Sequence, residues 1–384
     1  MAFQAQVTQD PTWPGLASLT QSIFSGLGAE GFRNPFELTP SPATCLLLID
    51  GLGQQLLQAH ARHAPFLASL MRPERQFRVG FPATTAASLA ALTSGLGSGA
   101  HGIVGCSFAL DADSEFSPLS WTCAGFSPAA LVTPAPVPET FIVPPTAWEQ
   151  AAQQGVRIST VMLARFADSA YSRAIYKAGR ILAAPDYEAY PELVRSALTM
   201  DAASYCFAYF GDLDFVGHAC GPGSEQWLVQ LHKADRLAES IFQQLPAGAQ
   251  LLVTADHGML GLDSAAVVDF DREPGLQEEV LALAGDIRAR HLYIGTARLE
   301  RVQERWRQRL GDGYQVLSKA DAIAGGLFGD VMLSQAEARI GDLIVIPTGA
   351  GGIIRSEVEA AASRWQGHHG ALTDADQLVP LLIA

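Results

Sequence analysis

The sequence predicts an α/β fold: a doubly wound, mostly parallel sheet with helices on both faces and a smaller inserted lid. Three observations carry this expectation. Short apolar runs alternate with longer helix-like segments, the rhythm of a sheet covered on both sides. The chain has 384 residues, 48% hydrophobic and 17% charged. A chain of that size buries about three-quarters of its unfolded surface and folds without staples. Internal repeats, heptads and apolar runs of membrane-spanning length (about 18 residues) are absent from the sequence.

The elements follow in chain order. Residues 44–49 (TCLLLI) read as a buried strand and 54–71 as the helix after it. Residues 77–81 are a short extended piece, and Thr85–Ser94 (TAASLAALTS) is a small-residue helix opening after Phe81-Pro82. Residues 112–145, rich in Pro, Ser and aromatics, are expected to form a long irregular excursion. Further strands are expected at 156–163, 203–210 and Gln250–Thr254. Residues 224–245 place Trp227, Leu228, Leu231, Ala234, Leu237, Ile241 and Leu245 at helical spacing, with His232 to one side. Residues 262–330 break the rhythm with charged helical stretches, HLYIG and GGLFG, and 342–347 (DLIVIP) resumes strand character. The expected division is a core of 1–261 and 336–384 with an inserted lid of 262–335.

Lys and Arg total 25 against 39 Asp and Glu, a formal charge of −14. That argues against a binder of nucleic acid duplexes working through a basic face. The five cysteines form no C-x-x-C pair, and Cys45 and Cys206 read as buried thiols. The N-terminal MAFQAQVTQDPTWPGLASL has no basic segment followed by an apolar core. A cytoplasmic protein away from membranes is expected, and no motif speaks to oligomeric state.

Four local patterns carry chemistry. In LLLIDGLG (46–53), Asp50 ends a buried strand, where open α/β sheets place ligands. In FPATTAASLAALTSG (81–95), Thr84 and Thr85 open a helix whose free N–H groups suit a phosphoryl or sulfuryl group, or serve as an ordinary cap. In DLDFVGHACGPGS (212–224), Asp214 and His218 can share a metal, with Asp212 a competitor, and Gly217 implies close backbone packing. In LLVTADHGM (251–259), Asp256 and His257 are adjacent at a strand end, and GHHGALT (367–373) offers His368 and His369. Imidazole and carboxylate donors together suit Zn²⁺ or Mn²⁺ better than Mg²⁺ or Ca²⁺. The set suffices for two metals.

The ordered set D-G, F-P-x-x-T, D-x-x-G-H-x-x-G-P, A-D-H-G-M and G-x-H-G resembles the type I phosphodiesterase/nucleotide pyrophosphatase branch of the alkaline phosphatase superfamily, from Asp50 to His369. GGLFG (325–329), RIGDLIVI (339–346) and VPLL (379–382) are similar to bacterial members. The resemblance implies an alkaline phosphatase-like core with two divalent metal ions, usually zinc, Mn²⁺ being the alternative. It implies Asp50, Thr85, Asp256 and His257 around one metal, and Asp214, His218 and His369 around the other. It also implies Thr85 as nucleophile, giving a phosphothreonine. A threonine hydroxyl is a weak nucleophile at neutral pH, and a bound dication would activate it.

Cys106, in HGIVGC (101–106), stands where nucleotide-specialised members resemble one another in an Asn. This speaks against nucleotide specificity and leaves the hydrolase chemistry intact; His101 reads as structural. No Lys or Arg lies between Arg78 and Arg157, which favours a phosphodiester over a dianionic monoester unless Arg288, Arg290, Arg298 or Arg355 reaches in from the lid. The expected partner is a small phosphorylated substrate. Alternatives are a phosphomonoesterase, a C–P hydrolase similar to phosphonoacetate hydrolase, and a catalytically inactive metal-dependent binding protein.

Overall fold

The computed structural model describes residues 15–127, 129–295 and 298–384. Up to residue 14, the N-terminal segment read as lacking a leader lies outside the described residues. The principal strands are β1 (Ala43–Ile49), β2 (Arg157–Leu163), β3 (Arg180–Ala184), β4 (Ser204–Phe210), β5 (Gln250–Thr254), β6 (Val280–Asp286), β7 (Ala289–Ile294), β8 (Tyr314–Ser318), β9 (Leu343–Pro347) and β10 (Leu382–Ile383). The principal helices are α1 (Leu16–Gly26), α2 (Thr85–Ser94), α3 (Tyr190–Ala197), α4 (Asp212–Cys220), α5 (Glu225–Gln244) and α6 (Leu299–Leu310).

The central sheet runs β10-β5-β1-β4-β2-β3. Its strands are parallel except β10, which pairs antiparallel with β5. β1 is buried at all seven positions, as its unbroken apolar run requires in a sheet covered on both faces. α1 packs on α2 and α3 on α5. Ser224 caps α5 by accepting from the Trp227 N–H at 3.2 Å, and Trp227, Leu231, Ala234, Leu237 and Ile241 face the core while His232 is exposed. Cys45 and Cys206 face each other across β1 and β4, both fully buried and unbridged. No described helix is long and apolar enough to cross a membrane.

A second sheet, β6-β7-β9-β8, is antiparallel throughout. It has its own apolar core, where Trp306 of α6 meets Leu283, Leu292, Val316 and Val345. The strand expected at 342–347 forms as β9 and is central to this second sheet.

Three elements differ from expectation. The helix expected over 54–71 is broken into Gln54–Ala59, a 3-10 turn at Ala61–His63 and Pro65–Leu70. Pro65 cannot donate to the preceding turn and restarts the helix at its first position. The excursion at 112–145 carries regular structure, with Phe108–Ala109, Ser114–Ser117 and Thr122–Gly125 forming a small antiparallel sheet. β3 is an edge strand that polar flanks concealed.

Two features fix stability. The Arg288 side chain, at the β6–β7 turn, makes a bidentate pair with Asp376 at 2.8 and 2.7 Å, both fully buried. Asp376 also accepts from the Ala371 N–H, so the pair ties the second sheet to the loop carrying His369. Arg288→Met strands a buried carboxylate and is expected to lower unfolding free energy by about 3–5 kcal/mol, read by denaturant titration.

The second feature is a pair of buried neutral histidines. His291 donates Nε2–H to the Val104 carbonyl and accepts the Gly341 N–H, and burial lowers its pKa to about 4. His101 accepts the Ile103 N–H, and burial lowers its pKa to about 3. A histidine whose folded pKa lies below its unfolded value near 6.5 contributes its stability in full above that value, and the contribution falls with pH. Each should remove about 2 kcal/mol between pH 6.5 and 5. The pH slope of the unfolding midpoint should flatten by one histidine's share in His291→Gln; an unchanged slope contradicts the assignment.

Candidate functional site

Three neighbouring parallel strands build the site. β5, β1 and β4 lie side by side, and their carboxyl ends deliver Asp256, Asp50 and Asp214 in a row. The Asp50 N–H continues the ladder by donating to the Phe210 carbonyl at 2.9 Å. Asp214 and His218 sit one turn apart on α4, with His218 Nε2 3.4 Å from Asp214 Oδ2. Gly217 is needed there, because a side chain would collide with the Met259 sulfur at 2.5 Å. His369 is carried on a loop folded over the strand ends, held where the Ala83 N–H donates to the Gly370 carbonyl at 3.2 Å.

Thr85 is the first residue of α2, a helix buried at all ten positions because small side chains let it press against its neighbours. Tyr171 donates to the Ala86 carbonyl at 2.7 Å and fixes the first turn. Thr85 Oγ1 is 3.1 Å from His257 Nε2 and 3.5 Å from Asp50 Oδ2. Thr85 is buried, with 8% of its surface exposed.

The seven side chains singled out in the sequence are therefore together. Donor atoms of Asp50, Asp256 and His257 lie within 4.8 Å of one another, as do those of Asp214, His257 and His369. His257 belongs to both groups and stacks on His369 with ring centroids 3.6 Å apart. His218 joins through His369, their Nε2 atoms 3.2 Å apart.

Protonation follows from the outer contacts. The Nδ1 atoms of His218, His257 and His369 face the carbonyls of Gly367, Gly258 and Ala83 at 2.7, 2.9 and 2.9 Å. A carbonyl only accepts, so each Nδ1 carries the proton and each Nε2 turns a lone pair inward. Asp50 Oδ1, Asp214 Oδ1 and Asp256 Oδ2 are buried without a hydrogen-bond partner. Burial, then the neighbouring carboxylates, raises the Asp50 pKa well above the carboxylate range, and burial raises that of Asp256. Burial and the adjoining histidines hold His369 well below the imidazole range. Bare nitrogens facing bare carboxylate oxygens in a largely buried site are a donor set for cations.

The competing residues point elsewhere. Asp212 pairs with Arg165 at 2.7 Å. His368 faces the Trp365 carbonyl at 3.1 Å. Thr84 is the N-cap of α2, and its hydroxyl lies beside Asp286. Sequence reasoning missed three residues at the site. Tyr209 donates its hydroxyl to Asp50 Oδ2. Asp286, at the end of β6, accepts the Cys106 N–H at 3.3 Å, and burial raises its pKa. Trp365, 44% exposed, lies with its ring centroid 4.4 Å from that of His218. Asp286 and Trp365 fall in segments with no local pattern.

Residues 44–372 match the family model described as type I phosphodiesterase / nucleotide pyrophosphatase. The chain belongs to that family. As a member of the type I phosphodiesterase family it is an enzyme, a phosphoryl hydrolase of the phosphodiesterase/pyrophosphatase or a related type. No curated protein matches the sequence. Among solved structures, the murine ectonucleotide pyrophosphatase/phosphodiesterase 5 is similar, with TM-score 0.64 and 16% identity over 88% of this chain and 87% of that one. Phosphonoacetate hydrolase from Sinorhizobium meliloti 1021, in complex with phosphonoacetate, is similar with TM-score 0.63 and 17% identity over 89% of this chain and 90% of that one. At such identities the likeness places the fold of this type I phosphodiesterase family member.

Proposed function

We propose that the chain hydrolyses phosphodiesters or nucleotide pyrophosphates at a centre of two divalent cations, through a phosphothreonine on Thr85. The observation carrying this reading is the position of Thr85 Oγ1, within 3.5 Å of both His257 Nε2 and Asp50 Oδ2. The orphaned carboxylate oxygens and inward lone pairs fit the metals. Asp50, Thr85, Asp256 and His257 would hold one cation; Asp214, His218 and His369 would hold the other. Bound there, zinc (or manganese) would supply Lewis acidity to the threonine oxygen and to the charge developing on the phosphoryl group.

Thr85 Oγ1 attacks phosphorus and forms the O–P bond as the P–O bond to the ester oxygen breaks; the threonine proton passes to solvent, and the ester oxygen departs with its electron pair and takes up a proton from water. Water then cleaves the phosphothreonine, returning the hydroxyl and releasing the phosphoryl product. The α2 N-terminus turns free N–H groups toward the transferred group. An inactive threonine-to-alanine variant of the murine neighbour is described in complex with AMP, which supports a small phosphorylated substrate.

Charge supports the diester. Arg288, Arg290 and Arg298 of the inserted segment and Arg355 beyond it are each paired with a carboxylate: Arg288 with Asp376, Arg290 with Glu359, Arg298 with Glu279 and Arg355 with Asp271. Asp286, which also accepts the Cys106 N–H, is the group beside the Thr84 hydroxyl. A monoanionic diester needs less cationic help than a dianionic monoester. We take the segment 262–335, with β9 completing its sheet, as the cap over this site, and the five unbridged cysteines as in keeping with a cytoplasmic setting.

Zinc-replete protein should turn over bis-p-nitrophenyl phosphate at least tenfold faster, by kcat/KM, than p-nitrophenyl phosphate, p-nitrophenyl sulfate or phosphonoacetate, about 1.4 kcal/mol of discrimination. Monoester preference removes the diester assignment, phosphonoacetate preference selects the C–P hydrolase, and silence across the panel selects a binding protein.

A further inference from the structure

We propose that Tyr209 is a positioning residue that fixes which oxygen of Asp50 is offered to the cation. The inference rests on the two-cation reading above and adds a residue that reading does not use.

Tyr209 is the sixth residue of β4, opposite Leu48 in the parallel register with β1. That register sets its side chain beside Asp50, two positions further along β1. Its ring lies edge-on to Phe166, centroids 5.8 Å apart, and its own carbonyl accepts the Tyr190 hydroxyl at 2.8 Å. Both ring and backbone are therefore held from outside the site. Room for the hydroxyl depends on Gly211, where a Cβ would stand 3.0 Å from the Tyr209 oxygen.

The hydroxyl donates to Asp50 Oδ2. The other oxygen, Oδ1, is buried without a hydrogen-bond partner and lies 3.3 Å from His257 Nε2. One oxygen is thus filled by a phenol proton, while the other keeps its lone pairs and faces the cluster. Hydrogen bonds from outside the ligand set orient a ligand and set its basicity.

Tyr209→Phe keeps the ring against Phe166 and removes only the hydroxyl. Wild type and variant, stripped of metal, are titrated with Zn²⁺ against a chromophoric chelator and with Co²⁺ followed by visible absorption. The variant should bind one of two zinc equivalents about ten- to a hundredfold more weakly and show a changed cobalt spectrum. At saturating zinc, kcat on bis-p-nitrophenyl phosphate should fall about tenfold or more with KM within twofold. Gly211→Ala, which crowds the hydroxyl without deleting it, should move the metal readouts the same way. Unchanged zinc affinity and an unchanged cobalt spectrum in Tyr209→Phe overturn the proposal. The two readings fail separately: a wild type silent toward diesters whose zinc binding still weakens in Tyr209→Phe loses the function above and keeps this one. Diester turnover with metal binding untouched in the variant does the reverse.

Discussion

Replacing Thr85 by Ala is expected to lower diester turnover by roughly 10³-fold or more while leaving bound metal nearly unchanged. The substitution deletes one hydroxyl from α2, whose small-residue packing tolerates alanine, so folding should be preserved. Three carboxylates and three histidines remain to hold cations, and Thr85 Oγ1 is a minor member of that set. The measurement is kcat/KM on bis-p-nitrophenyl phosphate beside elemental analysis of the same sample. Residual turnover within tenfold of wild type excludes the threonine as nucleophile. A loss of metal alongside activity would instead make Thr85 chiefly a ligand.

His257→Ala should have the largest effect on metal content. Its Nε2 lies 3.1 Å from Thr85 Oγ1, 3.3 Å from Asp50 Oδ1 and 3.5 Å from Asp256 Oδ2. It also shares a second donor group with Asp214 and His369. On the proposed two-cation reading, removing it touches both cation positions and the proposed nucleophile, whereas His218→Ala touches only one position. The expected outcome is a drop below one tightly bound zinc per chain, with turnover down roughly 10³-fold or more. For His218→Ala one zinc should remain. Equal metal content in the two variants would contradict the shared position of His257.

The fold and much of the candidate site were legible because strands carry their own signals. Residues 44–49, 203–210 and Gln250–Thr254 are unbroken apolar runs, and each ends close to an acidic residue. In a parallel sheet such endings fall on one edge, which is why Asp50, Asp214 and Asp256 could be singled out before any coordinates. Which strands are neighbours is not written in the runs themselves; adjacency of β5, β1 and β4 is a property of the assembled sheet. Tyr209 was hidden because a tyrosine inside an apolar strand looks like core, and Tyr205 in the same strand is core. Asp286, and the buried pairing of Arg288, were hidden because the partners, Cys106 and Asp376, lie 180 and 88 positions away. The break at Pro65 could have been anticipated from that residue alone.

The row of three carboxylates has a consequence for how such an enzyme can diverge. Neighbouring strands repeat at about 4.8 Å whatever their side chains, so hydrogen bonds of the backbone act as the ruler for the strand ends that carry the acidic groups. Insertions in the surface connections leave that ruler untouched. A lineage can therefore rebuild nearly everything a substrate meets, down to sequences with little left in common, while the charge lattice beneath keeps its dimensions.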